Sequence, residues 1–132
     1  MQRKTRQREA IREVFRKYPR PLRVEEVHEY AGRDVPRLGI ATVYRNLKLL
    51  VAEGDLVEVA VPELGTMYER AGIGHHHHFY CRSCGKMFDF PGCPIQGREL
   101  APPGYRTDAH ELFLFGLCAG CNHDAAPPSG GR

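Results

Sequence analysis

Two CxxC pairs, Cys81/Cys84 and Cys118/Cys121, constrain this chain more than any other feature. Each pair puts two sulfurs on one tight turn, and Gly85 and Gly120 suit such turns. Together the pairs offer four thiolates, the ligand set of a closed tetrahedral zinc site. An iron centre would use the same ligands; a redox CxxC needs one pair and leaves the second unexplained. The gap from Cys84 to Cys118 exceeds the roughly 15–20 residues of a simple zinc ribbon. Metal is therefore expected to tie together the ends of a small subdomain with little core of its own. The fifth cysteine, Cys93, lies in Pro91-Gly92-Cys93-Pro94 and reads as an ordinary turn thiol. The start, MQRKTRQREA, has no apolar run behind its charges and does not read as a secretory signal. A reducing, cytoplasmic setting is expected, where disulfides are a poor default. No run of about 18 apolar residues occurs, so no membrane span is expected.

Charge divides the chain in the same way. The formal net charge is only +3 over 132 residues, but residues 1–70 hold 14 Lys/Arg against 11 Asp/Glu, and residues 71–132 hold 5 of each. The second part also holds all five cysteines and six of the seven histidines. One part is suited to a polyanion, the other to soft metal ligands. The expected organisation is a DNA-binding domain over 1–70, a hinge over 71–74 (AGIG), a metal-binding domain over 75–125 and a disordered tail over 126–132 (APPSGGR).

Apolar spacing predicts a helix over 5–17, capped by Thr5 and closed by Pro19 and Pro21. A second helix is predicted over 23–31, with Val24, Val27, His28 and Ala31 inward. A third is predicted over 39–53, with Ile40, Val43, Leu47, Leu50 and Val51 inward and Gly54 as its stop. Leu56–Val61 and Thr66–Glu69 flank Pro62-Glu63-Leu64-Gly65, a hairpin signature. Three helices and a hairpin follow the order of a winged helix-turn-helix. Beyond the hinge, strands are predicted over His75–Cys81 and Lys86–Phe90, and a buried strand over Tyr105–Leu117.

In a helix-turn-helix the start of the recognition helix meets the base edges. That segment here leaves Ala41, Thr42, Tyr44, Arg45 and Lys48 for the groove. Arg45 can pair with guanine, Tyr44 can pack on a thymine methyl and Thr42 can reach a phosphate. Arg6, Arg8 and Arg12 are candidates for phosphate contacts. The run His75–His78 is internal and alternates faces on a strand. His76 and His78, with Glu69 and Asp89, would form a mixed nitrogen and oxygen site suited to Fe(II), Mn(II) or Zn(II). His75 and His77, with His110, would begin another on the opposite face. Neither HExxH nor the deaminase signature occurs, which argues against an enzyme.

The segments GIATVYRNLKLL, HHHHFYCRSCGKMFDF and HELFLFGLCAGC, in this order, resemble the ferric uptake regulator family of bacterial metalloregulators. The resemblance implies an α+β fold: a winged helix-turn-helix followed by a small α/β zinc-stabilised dimerisation domain. It implies homodimers that repress metal-homeostasis genes at a palindromic double-stranded DNA operator. It also implies structural zinc on Cys81, Cys84, Cys118 and Cys121, and a regulatory site of Glu69, His76, His78 and Asp89 taking Mn(II) or Fe(II), with Zn(II) as a further candidate. His75, His77 and His110 would belong to a further site. Peroxide-sensing and zinc-sensing members provide the alternatives: Asp89 is the carboxylate type of the peroxide sensors. The chain departs from the family where a regulatory histidine often precedes the second helix. Pro21-Leu22 stands there, with His28 nearby and Glu58 as a substitute. It also has Gln96 where the further site often has an acid, and the extra N-terminal helix with which the family often starts is missing or cut short.

Overall fold

The computed structural model describes residues 2–95 and 100–123, with side chains from residue 4 onward. Gln96 and the 126–132 tail lie outside the described residues. The chain divides into two compact units, Met1–Gly74 and His75–Arg132. No helix among the described residues is long and apolar enough to cross a membrane.

The first unit contains α1 (Gln2–Lys17), α2 (Val24–Gly32), α3 (Ile40–Ala52), β1 (Leu56–Val61) and β2 (Gly65–Arg70). Helix α1 starts a turn earlier than the apolar spacing indicates, because Gln, Arg and Lys at 2–4 are good helix formers. Thr5 is therefore interior to the helix and does not cap it. Helix α2 begins at an arginine cap, where the Glu26 carboxylate accepts the Arg23 backbone N–H at 3.0 Å. The same carboxylate pairs with Arg20 at 2.9 Å, both side chains being largely buried. In α3 the buried positions are Val43, Leu47 and Leu50. Ile40, expected to face inward, is 46% exposed. It occupies the first helical turn, where Leu38 from the preceding loop fills the core instead. Gly54, at φ 85°, ends the helix in a left-handed conformation that glycine adopts without strain.

Strands β1 and β2 pair antiparallel from Leu56↔Arg70 to Val61↔Gly65, one residue longer at each end of β2 than the sequence pattern indicates. Tyr68 and Leu22 exchange backbone hydrogen bonds of 2.8 and 2.9 Å, tying the segment before α2 to the hairpin. Ile11, Leu22, Val27, Val43, Leu47, Leu50 and Tyr68 form the fully buried centre of this unit.

The second unit is built on a three-stranded sheet in the order β4-β3-β5, with β3 (His76–Cys81), β4 (Met87–Pro91) and β5 (Phe113–Gly116). Strand β4 is antiparallel and β5 parallel to β3. The strand expected over Tyr105–Leu117 shrinks to four residues. Arg106, Thr107 and Asp108 are exposed and unpaired in the sheet, as their polarity favours. Nor is β5 buried on both faces: Leu114 is 41% exposed.

The contrast within α3 yields a test. Leu47→Ala is expected to cost about 2–5 kcal/mol in denaturant unfolding. Ile40→Ala should stay within about 0.5 kcal/mol, as exposed substitutions do. Equal losses would contradict the assigned helix face.

Candidate metal centres and nucleic-acid face

The cysteine pairs lie at corresponding ends of parallel strands. Cys81 ends β3, Cys84 follows in the turn to β4, and Cys118 and Cys121 follow β5. Gly85, at φ 74°, lets the first turn close, and its N–H donates to the Cys81 carbonyl at 2.9 Å. Gly120 needs no positive φ; there the Cys121 N–H donates to the Cys118 carbonyl at 3.0 Å. Pairing Cys81 with Gly116 in the β3–β5 register brings the two turns together. All four sulfurs lie within 4.8 Å of one another, and Cys84 and Cys118 are 4.0 Å apart. Tetrahedral zinc with Zn–S near 2.3 Å needs sulfurs about 3.8 Å apart. The residues present therefore fit zinc.

The electrostatics of the cluster point the same way. Backbone N–H groups of Cys84 and Cys118 pull the Cys81 thiol down to about 6. The Ser83 hydroxyl draws Cys121 down, but hydrogen bonds with Cys118, Cys81 and Cys84, together with burial, hold it up at about 11. One sulfur ionises readily while its neighbour keeps its proton; four thiolates together require a cation.

On β3 the histidines part by face. His78 stands opposite Asp89 in the β3–β4 register, and His76 is two residues along on the same side. The Asp89 carboxylate lies 3.2 Å from His78 Nε2 and 3.7 Å from His76 Nε2. All three side chains are mostly buried. This grouping of two imidazoles and a carboxylate fits a borderline divalent cation. Phe113 stacks on His78 at 5.4 Å between ring centroids and fixes its ring. Glu69, the remaining expected ligand, is on β2 in the first unit, opposite Val57, and is buried.

On the other face His77 is 2% exposed, and its Nε2 lies 3.3 Å from His110 Nε2. Burial, followed by neighbouring His75 and His110, holds His77 below the usual imidazole range, which favours the neutral ring that a metal ligand requires. The structure adds a residue that the sequence pattern marks only as a turn thiol. Cys93 Sγ lies 3.2 Å from both His77 Nε2 and His110 Nε2. The signal available in the sequence is a three-imidazole set short of a fourth donor, with a thiol just after β4.

Two substitute ligands suggested by the sequence are engaged within the first unit. His28 Nε2 bonds the Leu38 carbonyl at 2.8 Å, so His28 serves the α2–α3 turn. Glu58 pairs with Lys48 at 2.8 Å.

Helix α3 exposes Ala41, Tyr44, Arg45 and Lys48 along one side. Arg45 Nη2 donates to Thr42 Oγ1 at 3.1 Å, and Lys48 Nζ lies 5.5 Å over the Tyr44 ring. The α1 arginines are less free than their sequence suggests. Arg8 lies 3.6 Å from Glu53, and Arg12 pairs with Glu53 at 3.6 Å and Asp55 at 3.1 Å. Arg6 Nη2 donates to the Asp34 carbonyl at 3.5 Å. These pairs are exposed and weak, so a phosphate can displace the carboxylates at little cost.

Cys118→Ser is expected to remove one zinc equivalent per chain, measured by metal analysis. It should also strip hydrogen-exchange protection from the β3–β5 pairing while α1–α3 retain theirs. A zinc content unchanged from the wild type in that variant would contradict the ligand assignment.

Comparison with known proteins identifies the family and the fold. The ferric uptake regulator family model matches residues 2–115. The ferric uptake regulation protein of Campylobacter jejuni is 37% identical over 93 residues, covering 67% of this chain and 59% of that protein. The chain thus spans less than two thirds of that relative's length. Among solved structures, a zinc-bound manganese uptake regulator superposes with a TM-score of 0.75 at 26% identity, covering 85% of this chain and 87% of the other. The Helicobacter pylori ferric uptake regulator, described as having three functional metal binding sites, gives 0.69 at 27% identity, covering 89% and 80%. The α+β architecture is that of a winged helix-turn-helix followed by a small dimerisation domain, and the chain belongs to the ferric uptake regulator family.

Proposed function

We propose that the chain is a metal-activated transcriptional repressor of metal-homeostasis genes, acting in the cytoplasm as a homodimer on a palindromic operator. The observation that carries this reading is the grouping of His76, His78 and Asp89 around a common point. Glu69 is the further ligand, from the end of the wing strand β2. A cation bound there supplies positive charge shared by the two carboxylates and the two imidazoles. Through Glu69 these ligands then hold the DNA-reading unit at one angle to the second unit, with residues 71–74 as the hinge. Cation binding favours that angle over others, which links metal concentration to operator affinity. The mixed nitrogen and oxygen donor set suits Mn(II) or Fe(II). His75, His77 and His110 form a second metal site, and the cysteines hold structural zinc. The Helicobacter pylori relative's three metal sites support a division into three centres.

For DNA, Tyr44 and Arg45 read base edges in the major groove, Lys48 faces the same groove, Thr42 reaches a phosphate, and Arg6, Arg8 and Arg12 contact phosphates. The homodimer is supported by the apolar face formed by Phe79, Phe88, Phe90, Leu114 and Leu117, which lines a groove of about 540 Å³. Two copies joined there would present two recognition helices to two half-sites.

The test is DNA selected by the metal-loaded protein from a random pool, then titrated with Mn(II), Fe(II) and Zn(II). Affinity should rise with Mn(II) or Fe(II) and fall on chelation. His76→Ala should abolish that rise while keeping the cysteine-bound zinc. Arg45→Ala should lose about 1–3 kcal/mol per half-site with the dimer intact. Affinity indifferent to every metal would sink the switch. Asp89 favours a second reading, peroxide sensing; release of DNA from the Fe(II)-loaded but not the Mn(II)-loaded protein on adding peroxide would select it.

A further inference from the structure

We propose that Cys93 is a metal ligand, completing a site of three imidazoles and one thiolate with His75, His77 and His110, and that its sulfur makes this a Zn(II) site rather than one for Mn(II) or Fe(II). The proposal rests on the reading of the three imidazoles as a metal site and adds its fourth donor and its selectivity.

The geometry carries it. His77 Nε2, His110 Nε2 and Cys93 Sγ form a triangle with sides of 3.2, 3.2 and 3.3 Å. Those are close to the edges of a zinc tetrahedron, about 3.3 Å between nitrogens and about 3.6 Å between nitrogen and sulfur. Hydrogen bonding accounts for the triangle poorly. An N–H or S–H proton points along one edge, and its strength falls steeply off line. Because each Nε2 either donates or accepts and never both, a triangle of these atoms leaves at least one short edge with no hydrogen bond along it, whereas a central cation accepts a lone pair from every corner. His75 brings the fourth donor atom within 4.8 Å of the other three.

The backbone also delivers Cys93 to this face. Asp89 on β4 faces His78, so continued extension would not by itself return the chain toward His77. Gly92, at φ 76°, breaks the strand just beyond Pro91 and turns the chain so that the next side chain approaches His77 and His110. A residue with a Cβ is strained at that φ.

Sulfur decides the metal. Zn(II) accepts mixed imidazole and thiolate ligands in tetrahedral geometry. Mn(II) favours oxygen donors and higher coordination. The two faces of β3 would then sort metals: oxygen and nitrogen donors at Asp89, His76 and His78, sulfur and nitrogen at Cys93, His75, His77 and His110.

Co(II) is the probe. It is titrated into full-length protein that retains zinc on its four paired cysteines, with the zinc content measured throughout. Because Glu69, His76, His78 and Asp89 contain no sulfur, a thiolate-to-Co(II) charge-transfer band reports Cys93 alone. The band should appear together with tetrahedral d–d absorption. Cys93→Ser should lose the band. It should also weaken Zn(II) binding at this site by at least about 100-fold, since outer-shell partners alone carry about 10–100-fold. Cys93→Asp should lack the band but narrow the preference for Zn(II) over Mn(II). Unchanged circular dichroism and retained zinc would show that both variants are folded. Binding without the band in the wild-type protein would leave a three-imidazole site and overturn the role of Cys93. Absence of Co(II) binding at His75, His77 and His110 would remove the site itself. Equal affinity for Zn(II) and Mn(II) in the wild-type protein would overturn the selectivity.

Discussion

Consecutive side chains on a β-strand leave by opposite faces, and β3 carries histidines at every position where it enters the sheet. The metal chemistry of the second unit follows from that alternation and from the register that accompanies it. His78 opposite Asp89 makes a carboxylate–imidazole pair; a slip of one residue would place Phe88 or Phe90 there and turn the carboxylate away. The Cys81–Gly85 turn sets this register at one end of the β3–β4 pair, and Gly92 closes it at the other. The β3–β4 ladder thus sets His76 and His78 beside Asp89, and the β3–β5 ladder brings the two cysteine pairs together.

The first unit obeys a different constraint. Helix α3 buries only Val43, Leu47 and Leu50, and its opposite side is free for a partner. The buried Arg20–Glu26 pair and the Leu22–Tyr68 bridge hold the helices and the hairpin to one another. The surface that would meet DNA therefore adds little to the packing. Arg45 can be replaced without disturbing the core beneath it, whereas Tyr44 is hydrogen-bonded to the buried Tyr68.

Periodicity and ligand spacing make most of this legible in the sequence. The three helices, the hairpin, the cysteine cluster and the partition of the histidines follow from local rules that need no knowledge of tertiary contacts. What the sequence misleads on depends on such contacts. Ile40 fits the apolar stripe of α3, but Leu38 occupies the core space it would have taken. His28 has a helical position facing inward, yet its ring is spent on the Leu38 carbonyl. The polar run before Phe113 carries no partner strand, so the last strand is short. Cys93 is the largest omission. A lone thiol in a Pro-Gly turn has no spacing signature, and its proximity to His77 and His110 exists only after β3, β4 and the segment before β5 are assembled.

The parallel pairing of β3 with β5 joins parts of the chain that are far apart in sequence, Cys81 next to Gly116. Contacts of such separation require a large loop to close before any reward is gained, and they form late. Ribosomal synthesis releases the helices and the wing first. The second CxxC pair emerges when the rest of the sheet is already waiting for it. With zinc as its occupant, this cluster makes completion of the second unit depend on free zinc at that moment. A newly made chain would then need zinc before its second unit is complete.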